Sequence, residues 1–220
     1  MHRTGSKAGA ACRTAQDRKR SNTGGIFPAA LRAVAAAAIA ALLVASVQVS
    51  AVADVRGGAV LTFMNELART AIQANKTINR SGLEKIIRNN VDVERIGNYS
   101  LGTYISALSE TDVDTYYEAV TNFMARYAAM QSRHYQIENA EFYRPKYHKD
   151  GAITLKSRVT LANGSTYRVK WKIVEADGKF KVLDASIFGF WLTPFQRRLF
   201  QSYVRENDHD VDALVHVLAQ

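Results

Sequence analysis

The spacing of apolar residues changes period twice along the chain, and this change limits the possible folds. From residue 59 to residue 134, apolar residues recur every three or four positions, as on one face of a helix. Between residues 135 and 188 they alternate with polar residues, which is typical of half-buried strands. After Gly189 the helical spacing returns. The pattern predicts an α+β fold, with helices packed on a strongly curved four-stranded antiparallel sheet, cone-like, whose concave side encloses an apolar cavity unless large side chains fill it.

The predicted elements follow from this spacing and from turn and capping signals. Helices are expected at residues 59–74, 91–96, 98–108, 112–134 and 210–218. Two further helices are expected where Ser81 precedes a short apolar repeat and where Thr193 precedes Pro194. Strands are expected at residues 135–143, 153–161, 167–173 and 180–188. Turn signals separate them at Asp150-Gly151, Asn163-Gly164 and Asp177-Gly178.

The N-terminal part has the three features of a secretory signal. A segment rich in Arg and Lys comes before an apolar stretch at residues 33–53, which ends in the small-x-small sequence Ala51-Val52-Ala53. The stretch turns polar at Ser46 and Gln48, so it is shorter than a membrane span of about 20 apolar residues. We expect Sec-type secretion with cleavage near Ala53 and one mature domain at residues 54–220. An uncleaved N-terminal anchor is the alternative.

The net charge and the cysteine content of the predicted mature domain differ from those of the full chain. The full chain has 29 Lys and Arg and 20 Asp and Glu, a net charge of +9. The mature part keeps 22 basic and 19 acidic residues, a net charge of +3 that removes the main support for nucleic-acid binding. The single cysteine, Cys12, also lies in the removed part. No disulfide and no thiol chemistry are therefore predicted for the mature domain.

Recognisable catalytic motifs are missing from the predicted domain. The histidines have no metal-site spacing, and there is no nucleophile elbow or phosphate-binding glycine loop, so neither a metal nor a cofactor is predicted. Asp184 is the interesting polar residue, because alternation places it on the face of Phe180 and Val182. Two interpretations stay open: a structural hydrogen bond, or a general base in the apolar pocket of a cone-fold enzyme.

Several segments resemble those of a known family. They are residues 93–104 ending in Leu101-Gly102-Thr103-Tyr104, the aromatic helix at 116–127, the strand-Gly segment at 182–189 with residues 195–200, and residues 212–215. In order and spacing they are similar to the periplasmic phospholipid-binding component of Mla-type ABC transport systems, the toluene-tolerance family. The chain departs from this family at Ile105 and Phe180, where the family often has Trp. It also has Phe190-Trp191 at the place where the family usually has a small residue after Gly-Val.

The resemblance implies a periplasmic lipid carrier and not an enzyme. It implies phospholipid as ligand, and as partners an inner-membrane ABC transporter complex and an outer-membrane lipoprotein complex, in maintenance of outer-membrane lipid asymmetry. From the inward-reading positions we predict these lipid-binding residues: Leu101, Tyr104, Ile105, Tyr117, Phe123, Tyr127, Val159, Val169, Trp171, Ile187, Phe190 and Trp191. Arg197 and Arg198 are candidates for the pocket mouth. The lipid species stays open, and a periplasmic interaction module with a filled core is a further alternative.

Overall fold

Helices occupy both ends of the described chain and strands occupy its middle. A computed structural model describes residues 55–220, so the predicted signal at residues 33–53 lies outside the described residues. The first helices are α1 (Val55–Lys76), α2 (Arg80–Asn90), α3 (Val93–Leu101), a 3-10 helix (Gly102–Ala107) and α4 (Glu110–Ser132). The strands are β1 (Ile137–Phe142), β2 (Lys146–Tyr147), β3 (Ile153–Leu161), β4 (Thr166–Ala176), β5 (Lys179–Ile187) and β6 (Phe190–Trp191). The last helices are α5 (Leu192–Glu206) and α6 (Val211–Ala219).

The strands form one antiparallel sheet in the order β1-β3-β4-β5-β6, with β2 also paired to β3. The α+β class is thereby confirmed, but the predicted count of four strands is wrong. β2 and β6 are the additional strands, and each has only two residues, too few for an alternating pattern. Register shifts in β1 and β5 mark bulges, which bend strands and increase their twist.

The alternation along β3 and β4 separates a buried face from a solvent face. On β4, Val169, Trp171 and Ile173 are buried, while the intervening Arg168 and Lys170 are exposed. All the longer helices pack on the buried face, as expected for an antiparallel sheet with one wet side. The β3–β4 turn has Gly164 at φ 81°, in the left-handed region that the Asn-Gly signal predicts.

Helix boundaries follow local capping groups. The helix predicted at residues 112–134 is α4, and Ser109 caps its start, because Ser109 Oγ accepts a hydrogen bond from the Asp112 amide at 3.3 Å. The two helices predicted at residues 91–96 and 98–108 are instead the single α3 followed by the 3-10 helix. Asp92 caps the start of α3, and Gly102 at φ 63° ends it.

Buried polar groups connect the layers. Asn75 of α1 is fully buried; its Nδ2 donates to Ser132 Oγ of α4 at 2.6 Å, and its Oδ1 accepts from the Ile137 amide of β1 at 3.1 Å. Inside the sheet, Trp171 Nε1 donates to Ser157 Oγ at 2.9 Å. Within residues 57–220, every buried side-chain nitrogen and oxygen has a hydrogen-bond partner. The core therefore fixes how α1, α4 and the sheet pack.

Candidate lipid site

An apolar cavity lies where α4 and α5 cover β5. Its volume is about 60 Å³. Most of its lining is aliphatic or aromatic: Val91, Ile96, Phe123, Met124, Tyr127, Val182, Ala185, Leu192, Phe195 and Leu199. The polar residues at its border are Asp184, Thr193 and Gln196. Such a space excludes charged groups and accepts hydrocarbon.

A second apolar cavity, of about 20 Å³, lies between α4, α5 and α6. Phe123 and Leu199 line both cavities, so these two side chains separate them. The Phe123 ring packs edge-on against Phe200 with the ring centroids 5.5 Å apart. The two spaces therefore adjoin at Phe123 and Leu199 along the α4–α5 interface.

A polar cleft of about 590 Å³ opens on the outer side of the same region. Arg95, Lys172 and His148 line it together with the carboxyl groups of Asp150 and Asp184, and Arg95 is paired with Asp92 at 3.3 Å. Asp184 and Thr193 border both this cleft and the apolar cavity. An apolar space and a polar cleft with groups of both charges thus meet across one pair of side chains, which suits an amphipathic ligand.

The predicted lipid-binding residues separate into three groups by position. Phe123 and Tyr127 line the apolar cavity. Five others are buried in the packed core and border no cavity described above: Leu101, Val159, Val169, Trp171 and Ile187. The remaining five lie half-buried or exposed away from the cavity: Tyr104, Ile105, Tyr117, Phe190 and Trp191. The structure therefore brings only two of the twelve residues together at this cavity.

Some of the predicted residues that lie away from the cavity make polar contacts instead. The Tyr104 hydroxyl lies 2.9 Å from His209 Nδ1, and the Tyr117 hydroxyl donates to Asn98 Oδ1 at 2.8 Å. Phe190 is 61% exposed. Arg197 lies over the Tyr99 ring, 5.0 Å from its centroid, and donates to the Tyr99 carbonyl.

Sequence reasoning missed most of the cavity lining. Met124 and Leu199 belong to the apolar sides of predicted helices, yet nothing in the spacing separates a cavity-lining residue from a packed one. Val182 and Ala185 belong to β5, where the alternation is interrupted. The signal that identifies these residues is the three-dimensional gap between α4, α5 and β5, which no single-sequence pattern encodes.

The predicted face of Asp184 is wrong because β5 contains a bulge. Lys172 pairs with Asp184 while the neighbouring Ile173 pairs with Val182, so Leu183 is an extra residue that inverts the alternation. Asp184 is therefore moved off the face of Val182 and reaches the start of α5.

The Asp184 carboxylate caps α5 from strand β5. Its Oδ1 accepts hydrogen bonds from the amides of Ala185 at 2.8 Å, Leu192 at 3.1 Å and Thr193 at 3.0 Å. Burial raises the pKa of this carboxyl, and the hydrogen bonds from Thr193, Ala185 and Leu192 act in the opposite direction. The sequence places the start of this helix at Thr193 and Pro194, with Thr193 as the cap. In the structure α5 begins at Leu192, and the side chain of its N-cap residue, Trp191, makes no capping hydrogen bond. The geometry agrees with the structural interpretation of Asp184.

Two other features bear on the chemistry of the described residues. No group of three or more metal-ligating side chains occurs among residues 55–220. None of the helices within that range is both long and apolar enough to cross a membrane.

Comparisons with known proteins agree with the fold. A solved phospholipid-binding protein from Ralstonia solanacearum, determined in complex with a phospholipid, superposes with a TM-score of 0.57 at 17% sequence identity. The match covers 74% of this chain and 93% of that one, and it shows the fold. A search of curated protein sequences found no match. The family model described as MlaC protein matches residues 59–220. With nearly all of its described residues inside that match, the chain belongs to the MlaC family.

Proposed function

We propose that this protein carries phospholipid, with the acyl chains held between α4, α5 and the sheet and the headgroup in the polar cleft. The observation that carries this proposal is the contact between an apolar cavity and a polar cleft across Asp184 and Thr193. Membership of the MlaC family and the likeness to a phospholipid-bound structure support it.

The physical need for a carrier is set by the hydrophobic effect. A diacyl lipid exposes about 30 methylene groups to water, and burial stabilises each by about 0.8 kcal/mol. The sum exceeds about 20 kcal/mol, so a free lipid crosses an aqueous compartment far too rarely to be useful. A carrier needs an apolar interior and a wet headgroup site, and it needs no catalytic group. We therefore assign no catalytic step to this chain.

The enclosed space must grow before two acyl chains fit. Pockets that bury a ligand of this size measure several hundred Å³, against about 60 Å³ here. The side chains that α5 places at this interface, Phe195 and Leu199, are only half-buried. We propose that α5 moves away from α4 on loading, which joins the two cavities at Phe123 and Leu199. The five packed residues of the predicted set, with Trp171 at their centre, would meet lipid only in that opened state.

We further propose the cellular setting that the sequence suggests. Residues 1–53 act as a secretory signal, and residues 54–220 work as one lipid-binding domain in the periplasm. The domain moves lipid between an inner-membrane ABC transporter complex, which hydrolyses ATP, and an outer-membrane lipoprotein complex. This exchange maintains the lipid asymmetry of the outer membrane.

Filling the cavity tests the proposal. The purified domain is incubated with phospholipid vesicles, re-isolated and extracted, and the bound lipid is quantified by mass spectrometry. Leu199→Trp places a large side chain between the two cavities and should reduce lipid uptake at least about tenfold, because the ring occupies the space for acyl chains. Arg205→Trp adds the same ring at an exposed position of α5 and serves as the matched control.

The outcomes separate the alternatives. Lipid in the wild type and in Arg205→Trp, with little in a folded Leu199→Trp, agrees with the proposed site. Equal loading of all three proteins would contradict the site. No lipid in any of them would instead favour the interaction module with a filled core.

A further inference from the structure

The solvent face of the sheet carries basic residues directly opposite one another. Lys156 of β3 pairs with Lys170 of β4, and Arg158 pairs with Arg168 in the next outward-facing row. All four side chains are exposed. Like charges at directly opposed positions of an antiparallel pair destabilise the sheet. These two rows, here named the basic rows, therefore lower the stability of the fold.

Acidic side chains do not neutralise the basic rows. None of the four cations forms an ion pair within the described part of the chain. Glu141 lies opposite Arg158 at the β1 edge, and Asp184 lies opposite Lys172. The Oδ1 atom of Asp184 is engaged with three backbone amides. The basic rows are thus available to an anionic group outside the domain.

The positive charge of the domain is concentrated on this face. Residues 54–220 have 22 basic and 19 acidic residues, a net charge of +3. Six of the basic residues and two of the acidic ones lie at outward positions of the sheet, so the rest of this range has 16 basic and 17 acidic residues, a net charge of −1. The six are Lys146, Lys156, Arg158, Arg168, Lys170 and Lys172, and the two are Glu141 and Asp184. An uneven field of this kind turns the solvent face of the sheet toward an anionic partner.

Aromatic side chains border the basic rows. The Tyr143 amide donates to the Lys156 carbonyl at 2.9 Å, and Tyr143 is 43% exposed. Trp191 lies opposite Ser186 of β5, and the Lys170 ammonium lies 5.7 Å from the centroid of its ring. Tyr, Trp and Arg are enriched in protein–protein interfaces. The composition of this surface therefore fits a protein partner.

We propose that the basic rows, with Lys172 and Trp191 beside them, dock an acidic surface of a partner protein. The carboxylates of a folded partner have fixed positions, and directly opposed cations can pair with them one to one. Arg also binds a carboxylate through two parallel hydrogen bonds. Lipid headgroups are mobile and are attracted equally by scattered cations, so a bilayer gives no reason for keeping the unfavourable opposed pairs.

A bilayer is the weaker candidate for a second reason. Stable attachment to a membrane takes a second signal besides electrostatic attraction, such as an inserted apolar group. The exposed Phe188 and Phe190 do not supply it on this face. Phe190 lies opposite the buried Ile187, and the Phe188 ring packs edge-on against Tyr167 with the centroids 5.7 Å apart. Both rings therefore belong to the buried side of the sheet.

The inference rests on the proposed function for the existence of partner complexes, and it names the surface that would meet one of them. The apolar cavity lies between α4, α5 and β5, on the opposite side of the sheet from the basic rows. The two proposals therefore fail separately. Leu199→Trp should lose lipid and keep the partner, and charge reversal in the basic rows should lose the partner and keep lipid uptake from vesicles.

Photocrosslinking in intact cells tests the docking surface. The full chain is expressed with p-benzoylphenylalanine in place of Thr166, an exposed residue in the row next to Arg158 and Arg168. Irradiation should link this probe to a protein through a segment rich in Asp and Glu, which mass spectrometry identifies. The same probe in place of Thr70, which is exposed on α1, should not give this product.

Charge reversal measures the contribution of the basic rows. Lys156→Glu/Arg168→Glu should lower the rate of association with the identified partner at least about tenfold, because electrostatic steering raises association rates by about 10- to 1000-fold. The same double variant should raise the melting temperature, since each remaining cation gains an opposite charge across the strands. A merely structural role of the rows predicts that a variant that melts higher keeps its partner.

Two further variants complete the test. Arg69→Glu/Lys76→Glu makes the same change in net charge at exposed positions of α1 and should leave the crosslink at residue 166 unchanged. Replacing the crosslinked acidic residues of the partner by Lys should restore its association with Lys156→Glu/Arg168→Glu, because the pairs then form with the charges exchanged.

Several results would overturn the docking proposal. It fails when the probe at residue 166 links to no protein, or when the linked segment has no cluster of acidic residues. It fails equally when the crosslink survives charge reversal in the sheet, or when the α1 variant loses as much of it. Crosslinks to lipid instead of protein would assign the face to a membrane.

Discussion

Replacing Asp184 by Ala should remove the cap of α5 and loosen the helix that closes the apolar cavity. Asp184 Oδ1 accepts from the amides of Leu192 and Thr193, the first two residues of α5. First-turn amides have no partner within their own helix, so they depend on a group of this kind. The alanine variant leaves both amides without their acceptor.

The expected size of this effect follows from the number of bonds lost. An ordinary hydrogen bond contributes about 0.5–1.5 kcal/mol, and an unpaired buried donor costs about 1–3 kcal/mol. Thr193 is buried and Leu192 is half-buried, so partial access of water lowers the sum. We expect Asp184→Ala to lower the free energy of unfolding by about 3 kcal/mol. Asp184→Asn keeps an oxygen acceptor of the same shape and should cost less than about 1 kcal/mol.

The pH dependence of Asp184 has a defined sign. Because burial raises the pKa of this carboxyl, the folded protein retains its proton to a higher pH than the unfolded chain does. The contribution of Asp184 to stability is therefore greatest below the unfolded pKa, about 4, and falls as the pH rises through the raised folded value. Asn does not titrate. The stability of the wild type relative to Asp184→Asn should accordingly decrease as the pH rises above about 4.

Urea unfolding followed by circular dichroism measures these differences across that pH range. The amide acceptor explanation predicts a large loss for Ala, a small loss for Asn, and a wild-type advantage over Asn that shrinks with rising pH. An Asn variant as unstable as Ala, with an advantage of the wild type that grows with pH, would refute it. That result would show that the negative charge itself, acting on the helix dipole, stabilises α5.

Two buried hydrogen bonds give further predictions. Ser157→Ala leaves the Trp171 indole N–H without its acceptor and should lower the free energy of unfolding by about 1–3 kcal/mol; urea unfolding checks this, and an effect below about 0.5 kcal/mol would contradict it. Asn75→Ala removes the side chain that joins α1, α4 and β1, leaves the Ile137 amide unpaired, and should cost about 3 kcal/mol. Thr70→Ala, on the exposed side of α1, is the control and should stay within about 0.5 kcal/mol by the same measurement.

The sequence is informative wherever one local pattern covers many residues. The long α4 follows from an uninterrupted apolar stripe after Ser109, and the β3–β4 hairpin follows from Asn163-Gly164 between two alternating segments. The bulge at Leu183 is different, because a single extra residue inverts the alternation without leaving any signature of its own. The predicted face of Asp184 is wrong for that reason.

The site was harder to predict than the fold because inward-pointing residues share one pattern. Trp171 and Phe123 both read as inward, yet Trp171 fills the sheet core and Phe123 borders a cavity. The difference depends on how closely α5 approaches α4 and β5. That distance is set by contacts between α4, α5 and β5 that form only in the folded chain, and by the bonds from Asp184 to the start of α5.

The most direct test of the central claim is to locate the bound acyl chains. The domain is loaded with a phospholipid that carries a photoreactive diazirine in the middle of one acyl chain, irradiated, digested and mapped by mass spectrometry. Our account predicts crosslinks at the residues around the joined cavities, chiefly Phe123, Met124, Tyr127 and Leu199. Crosslinks confined to the exposed Phe188 and Phe190, or spread over the surface without any on α4 and α5, would contradict it.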